Sequence, residues 1–188
     1  MNTARASSTS AHESSAAGWS TLYRVAATST LIGLAIMPVQ LIVYIVWPPP
    51  GDVAAYFTLM QQRPLIGLMN LDLLYILSNV LLIPLYLALS VSLRAQSRSL
   101  IALALATGLL ALAVYLTTNP CLEMLSLSRS YAVATTEAQR LVFLAAGEVL
   151  LAGFTGTAFT VYYLLSGVAL LLFSAVMLRS TVYSRKTA

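Results

Sequence analysis

The sequence predicts an all-α membrane protein, a four-transmembrane-helix bundle with a surface or re-entrant helix before the last span. Two observations carry that class. Hydrophobic residues make up 59% of the 188 residues and charged residues 9%, whereas soluble domains carry about a quarter charged residues. The apolar residues also fall in unbroken blocks about 20 residues long, the length that crosses a hydrocarbon core near 30 Å.

The first 24 residues are rich in Ser, Ala and Thr and carry Arg5, Glu13 and Arg24, which reads as a flexible cytoplasmic N-terminal tail (1–24). Span one follows, about 25–47. It is too long for a signal-peptide core and ends in "WPPPG" rather than a small-residue cleavage site. Three successive prolines without N–H donors stop that helix, and Asp52 is placed to cap a short segment, "VAAYFTLMQQ". Span two, counted back about 20 residues from Arg94, occupies 74–93 and leaves Asp72 at or just beyond the interface. A span starting at Leu65 and tilting would submerge Asp72 instead, at about 2.5 to 3.5 kcal/mol on insertion scales.

"RAQSR" makes a basic turn into span three, about 100–116, whose Ala, Leu and Gly108 suit close helix packing. Asn119 and Pro120 stop it, and a polar stretch runs to Thr136, which matches a capping box with Gln139. The apolar run from Leu141 to Leu178 would extend about 57 Å as helix, too long for one span and short for two with a turn. The break at "GFTG" divides it into an extra helix, about 137–152, at or dipping into the outer face, and span four, about 157–178. A fifth crossing would need an uncharged inner turn.

With four spans, Arg5, Arg24, Arg94, Arg98, Arg179, Arg185 and Lys186 share one side against Arg63, Arg129 and Arg140 on the other. This excess of basic residues predicts cytoplasmic termini, including a basic C-terminal tail (179–188), in a multi-pass protein of the plasma or inner membrane. The net charge of +4 is scattered over block ends rather than gathered in a patch, which argues against nucleic acid as a partner. One cysteine, Cys121, excludes an intrachain disulfide, and with His12 as the one histidine no His/Cys metal cluster, haem or other cofactor is expected.

Three stretches, "LDLLYILSNVLLIPLYLAL", "AAGEVLLAGFTGTAFTVYYLLSG" and "AVMLRSTVYSRKTA", resemble the bacterial membrane proteins grouped as domain of unknown function 4386, over roughly Gly18 to the last residue. The resemblance implies membership of that family and no activity, substrate or cofactor. The family pattern continues beyond "SRKTA" into two further hydrophobic segments, so the expectation is a shortened or truncated member.

Within the spans, the residues able to do chemistry are few. On one helix Asp72, Tyr75, Asn79 and Tyr86 would share a face, either lining a polar cavity with Asp72 as its ionisable member, or bonding helices and anchoring at the interface. Glu148, with no basic residue within four positions, either titrates at membrane depth or faces water. Gln40, after Pro38, and Thr155, Thr157 and Thr160 suit interhelical hydrogen bonds of about 0.6 to 2 kcal/mol. The expected function is a non-enzymatic membrane component in the lipid bilayer, self-associating or serving another membrane protein. The alternatives are a small-solute or proton-coupled transporter using Asp72 and Glu148 and, behind it, a membrane enzyme for which no catalytic motif is present.

Overall fold

The computed structural model describes residues 3–180 and Tyr183, with side chains from Gly18 onward. These residues form eight α-helices and no strand: α1 (Thr3–Val46), α2 (Val53–Gln62), α3 (Pro64–Asn70), α4 (Leu73–Leu93), α5 (Arg98–Thr118), α6 (Cys121–Val133), α7 (Glu137–Gly153) and α8 (Phe159–Arg179). Four stretches among them are long and apolar enough to cross a membrane. Most of the expected C-terminal tail, residues 181, 182 and 184–188, lies outside the described residues.

Local chemistry sets most helix ends. Helix α1 reaches back through much of the segment expected as a tail, because no Gly or Pro precedes Gly18 to interrupt it. It ends where Trp47 N–H reaches the Val43 carbonyl, 2.8 Å away, just before Pro48. Asp52 caps α2 by accepting the Ala55 N–H at 2.8 Å. Pro64 opens α3 at its first turn, where its missing N–H costs nothing. Ser97 caps α5, and Thr136 and Gln139 form the expected capping box at the start of α7.

Two further points depart from the sequence reading. The polar stretch after Pro120 is helical, with Glu123 in the first turn of α6 where the helix dipole favours a negative charge. The second span runs Leu73–Leu93, close to the expected 74–93, but Asp72 leaves its helix because the backbone turns sharply at Leu71 and Asp72; Asp72 adopts φ 66°, ψ 26°. The shared helical face therefore holds for Tyr75, Asn79 and Tyr86, while Asp72 precedes the helix rather than riding on it.

Helix α4 packs along α1 on one side and α5 on the other, and α5 packs along α8. Small residues permit the close contacts: Ala104, Ala111 and Ala169 are fully buried, and a Cβ on Gly108 would sit 2.9 Å from Tyr86 Cε2. The Tyr86 ring stacks on Phe173 with centroids 5.7 Å apart. At the end of the spans near Arg94 and Arg98, the Arg94 guanidinium lies 5.8 Å from the Trp19 ring centre.

At the opposite end, helices α2, α3, α6 and α7 form a cap with its own core, built from Val53, Tyr56, Phe57, Met60, Leu71, Cys121 and Met124. The stretch from Glu137 to Arg179 is 43 residues, about 64 Å of helix, roughly twice the thickness of the hydrocarbon core. Its α7 part accordingly packs on α6 and α2 in the cap. The expected break at "GFTG" is a π-helical turn, Phe154–Ala158, with Gly156 at φ −91°, ψ −114°. Among the described residues nothing lies within 4 Å of a Cβ placed on Gly153 or Gly156; Gly153 keeps helical dihedrals, and the bend falls at Gly156.

Replacing Gly108 by Ile should drive the Tyr86 ring away from α5 and destabilise the spans by about 1 to 3 kcal/mol. Gly153→Ala, in open space, should leave stability unchanged or slightly higher. Thermal unfolding in detergent, followed by circular dichroism, separates the two.

Candidate site: a carboxylate enclosed by tyrosines

The left-handed turn at Asp72 lies where the spans meet the cap, and side chains from two spans hold it. On α1, the Gln40 Nε2–H donates to the Met69 carbonyl at 3.0 Å, and Tyr44, one helical turn on, donates its hydroxyl to Asp72 Oδ1. On α5 the arrangement repeats with the same spacing of four. The Tyr115 hydroxyl donates to Asp72 Oδ2 at 2.9 Å. Asn119 Nδ2–H donates to the Leu71 carbonyl at 3.0 Å while its Oδ1 accepts the Cys121 N–H at 3.0 Å.

Asp72 is only 7% exposed, and both its oxygens are held by phenols rather than by a cation. Asp is among the few residues besides Gly that tolerate a positive φ, since its short side chain can bond locally. Here the side chain bonds at long range instead. One residue thus supplies the turn and a carboxylate whose direction the turn fixes.

Around that carboxylate is a cavity of about 120 Å³, lined by Tyr44 of α1, Asp72, Tyr75 of α4, Tyr115 of α5, and Phe159, Tyr162 and Tyr163 of α8. The rings stand at steep angles to one another. Tyr162 and Tyr163 are 5.1 Å apart at 65°, Phe159 and Tyr163 4.6 Å apart at 66°, and Tyr115 and Tyr162 4.7 Å apart at 43°. Tyr163, 55% exposed, forms the rim. Below it the Tyr162 hydroxyl donates to Asn79 Oδ1 at 2.9 Å, and Asn79 Nδ2–H donates to the Tyr75 carbonyl at 2.9 Å.

The residues singled out from the sequence therefore separate into three places. Asp72 and Tyr75 line the cavity, while Gln40 and Asn79 brace it from below. Tyr86 lies deeper, in the packing between α4, α5 and α8. Glu148 is exposed on α7 and borders a different crevice, with Asp52, Val53 and Thr155. Tyr44, Tyr115, Asn119 and Tyr162 went unassigned as site residues in the sequence. Their signal was present as polar pairs four apart, Gln40 with Tyr44 and Tyr115 with Asn119, near the ends of two apolar helices.

Burial pushes the Asp72 carboxyl above the ordinary carboxylate range, and the hydrogen bonds from Tyr44 and Tyr115 pull only part of the way back. In the cap, burial and the charge of Asp72 together push the Tyr56 phenol up to about 12. Among the described residues, phenols face Asp72 from α1, α2, α4, α5 and α8 (Tyr44, Tyr56, Tyr75, Tyr115, Tyr162 and Tyr163), and α6 adds the Cys121 thiol, pushed up mainly by burial and in small part by the Asp72 charge.

Compared with protein-family models, curated proteins and solved structures, the chain matches none.

An acid whose pKa is raised on folding binds more protons folded than unfolded just above its ordinary pKa. Stability should therefore be highest at or below that ordinary value, fall as pH rises to the raised folded pKa, and then level off. Unfolding midpoints measured across that range should lose this slope in Asp72→Asn, which keeps the turn. Asp72→Ala should cost about 3 kcal/mol or more, combining left-handed strain of about 1 to 2 with two hydroxyls left unpartnered at about 1 or more each.

Proposed function

We propose that this chain is a non-enzymatic, multi-pass component of the bacterial inner membrane, related to the family of domain of unknown function 4386, and that it binds a small solute in the Asp72 cavity. The observation that carries this reading is the buried carboxylate facing an open space lined by aromatic rings from four spans. A buried carboxylate needed only for packing would be closed over by its neighbours, because leaving a charged group against open apolar space gains nothing for its desolvation cost.

The orientation rests on charge. Arg24, Arg94, Arg98 and Arg179 lie at the uncapped ends of the spans, and Arg63, Arg129 and Arg140 belong to the cap. The positive-inside rule then assigns the cap and the mouth of the cavity to the outer side. Exposed apolar side chains along α1, among them Leu31, Leu34, Leu41 and Ile45, supply a face suited to lipid or to a neighbouring membrane protein. Use of the site by a carrier would involve Asp72 without Glu148, since Glu148 borders a separate crevice.

Single cysteines in a Cys121→Ser background test both the cavity and the orientation. Added from outside to intact cells, a membrane-impermeant thiol reagent should label cysteines replacing Tyr163 and Glu148. Asn79→Cys, buried at a position now 2% exposed, and Arg94→Cys, at the other end, should stay silent. Labelling at 94 in place of 148 would invert the topology, and labelling at 148 with 163 silent would close the cavity.

A further inference from the structure

We propose that the solute taken by this cavity is a small organic ammonium ion, held by the Asp72 carboxylate and walled by the rings of Tyr75, Tyr162, Tyr163 and Phe159. The assignment rests on the binding role proposed above and adds the chemical class. Three features of the site select that class.

The first is charge. Within the cavity the one group able to carry charge besides phenols is a carboxylate, and among the described residues its hydrogen-bond partners are the neutral hydroxyls of Tyr44 and Tyr115. An anionic ligand would meet repulsion, with no basic side chain among the described residues that line the cavity to offset it. A cation, by contrast, supplies the missing counter-charge where screening by water is weak. The two oxygens offer about four lone-pair positions, so each can accept from a ligand N–H while keeping its tyrosine.

The second is the nature of the walls. An aromatic ring presents a negative face and attracts cations placed over it, most strongly when they are desolvated. The rings here are not stacked flat. Tyr162 and Tyr163 meet edge to face at 65°, as do Phe159 and Tyr163 at 66°, so the wall is a set of differently inclined rings rather than one flat stack.

The third is what the site lacks for metals. Calcium takes six to eight oxygen ligands and magnesium a near-octahedral set, but only one carboxylate faces this cavity. Among the described residues no three His, Cys, Asp or Glu side chains gather anywhere. A soft, weakly hydrated ammonium with alkyl substituents suits phenyl walls, whereas a strongly hydrated metal ion would surrender water for rings that cannot replace it. The volume, about 120 Å³, admits a head group the size of methylammonium or tetramethylammonium rather than a large amphiphile.

The test is isothermal titration calorimetry on the full chain in nanodiscs, with tetramethylammonium chloride and methylammonium chloride as probes. The comparison ligands are sodium chloride and tert-butanol, the latter an uncharged compound of similar shape. Saturable binding of at least one ammonium probe is expected, with no heat from tert-butanol and no competition by sodium. Asp72→Asn, which retains the turn geometry, should weaken binding on the order of tenfold or more. Tyr163→Leu, at the exposed rim where folding is not at stake, should weaken it about two- to fivefold through loss of one ring face.

Equal binding of tert-butanol would overturn the charge assignment, and displacement by sodium would point to an inorganic cation site. Absence of binding by both ammonium probes would overturn the proposal. If position 163 labels from outside at the same time, the cavity survives and only the ligand class fails. If position 163 is silent, the binding role itself fails.

Discussion

The arrangement depends on a sharp backbone turn placed where water is scarce. At Leu71 and Asp72 the chain leaves α3 and enters α4 with carbonyls and a carboxylate freed from helical pairing. Such groups are costly in an apolar setting unless the protein supplies partners. Four side chains do so: Gln40 and Tyr44 from α1, Tyr115 from α5 and Asn119 just past its end. Because those partners belong to the helices on either side of α4, satisfying the turn also sets how the first and third spans sit against the second.

The same constraint links the membrane part to the cap. Leu71 belongs to the cap core with Phe57, Met60 and Met124, while its carbonyl is bound by Asn119, whose other end caps the start of α6. The cap buries large apolar side chains away from water, worth about 1.5 to 3 kcal/mol each. The spans gain little that way in lipid and rely on close packing around Gly108, Ala104 and Ala169 and on interhelical hydrogen bonds. The Asp72 turn joins two regions stabilised by different physics, which explains the concentration of polar groups there. Among the described residues neither side-chain polar atom of buried Asn70 has a partner, nor has the Oε1 of Gln40; the turn retains a local polar cost beyond what its bonds remove.

Tyrosine serves this place because it is apolar along the ring and polar at its tip. Tyr44 and Tyr115 use their hydroxyls on the carboxylate, and Tyr162 uses its hydroxyl on Asn79. The ring bodies remain to wall the cavity. Packing and recognition, opposed in the sequence reading as rival uses of Asp72 and its neighbours, are carried out here by the same side chains.

By itself the sequence determined the helical class, the four apolar spans, the caps at Asp52 and Thr136 and the break at "GFTG". These depend on neighbours in the chain: runs of apolar residues, prolines without donors, a side chain reaching its own backbone three residues on. Only the tertiary structure decided that Asp72 leaves its helix, that Tyr44 and Tyr115 meet on its carboxylate, that Glu148 stands apart, and that the stretch after Pro120 is helical. Those outcomes join residues 28 and 43 positions apart, or depend on burial against another helix, as with Met124 on Phe57. Periodicity shows which face of a helix is polar; which distant partner will satisfy that face is settled when the helices pack.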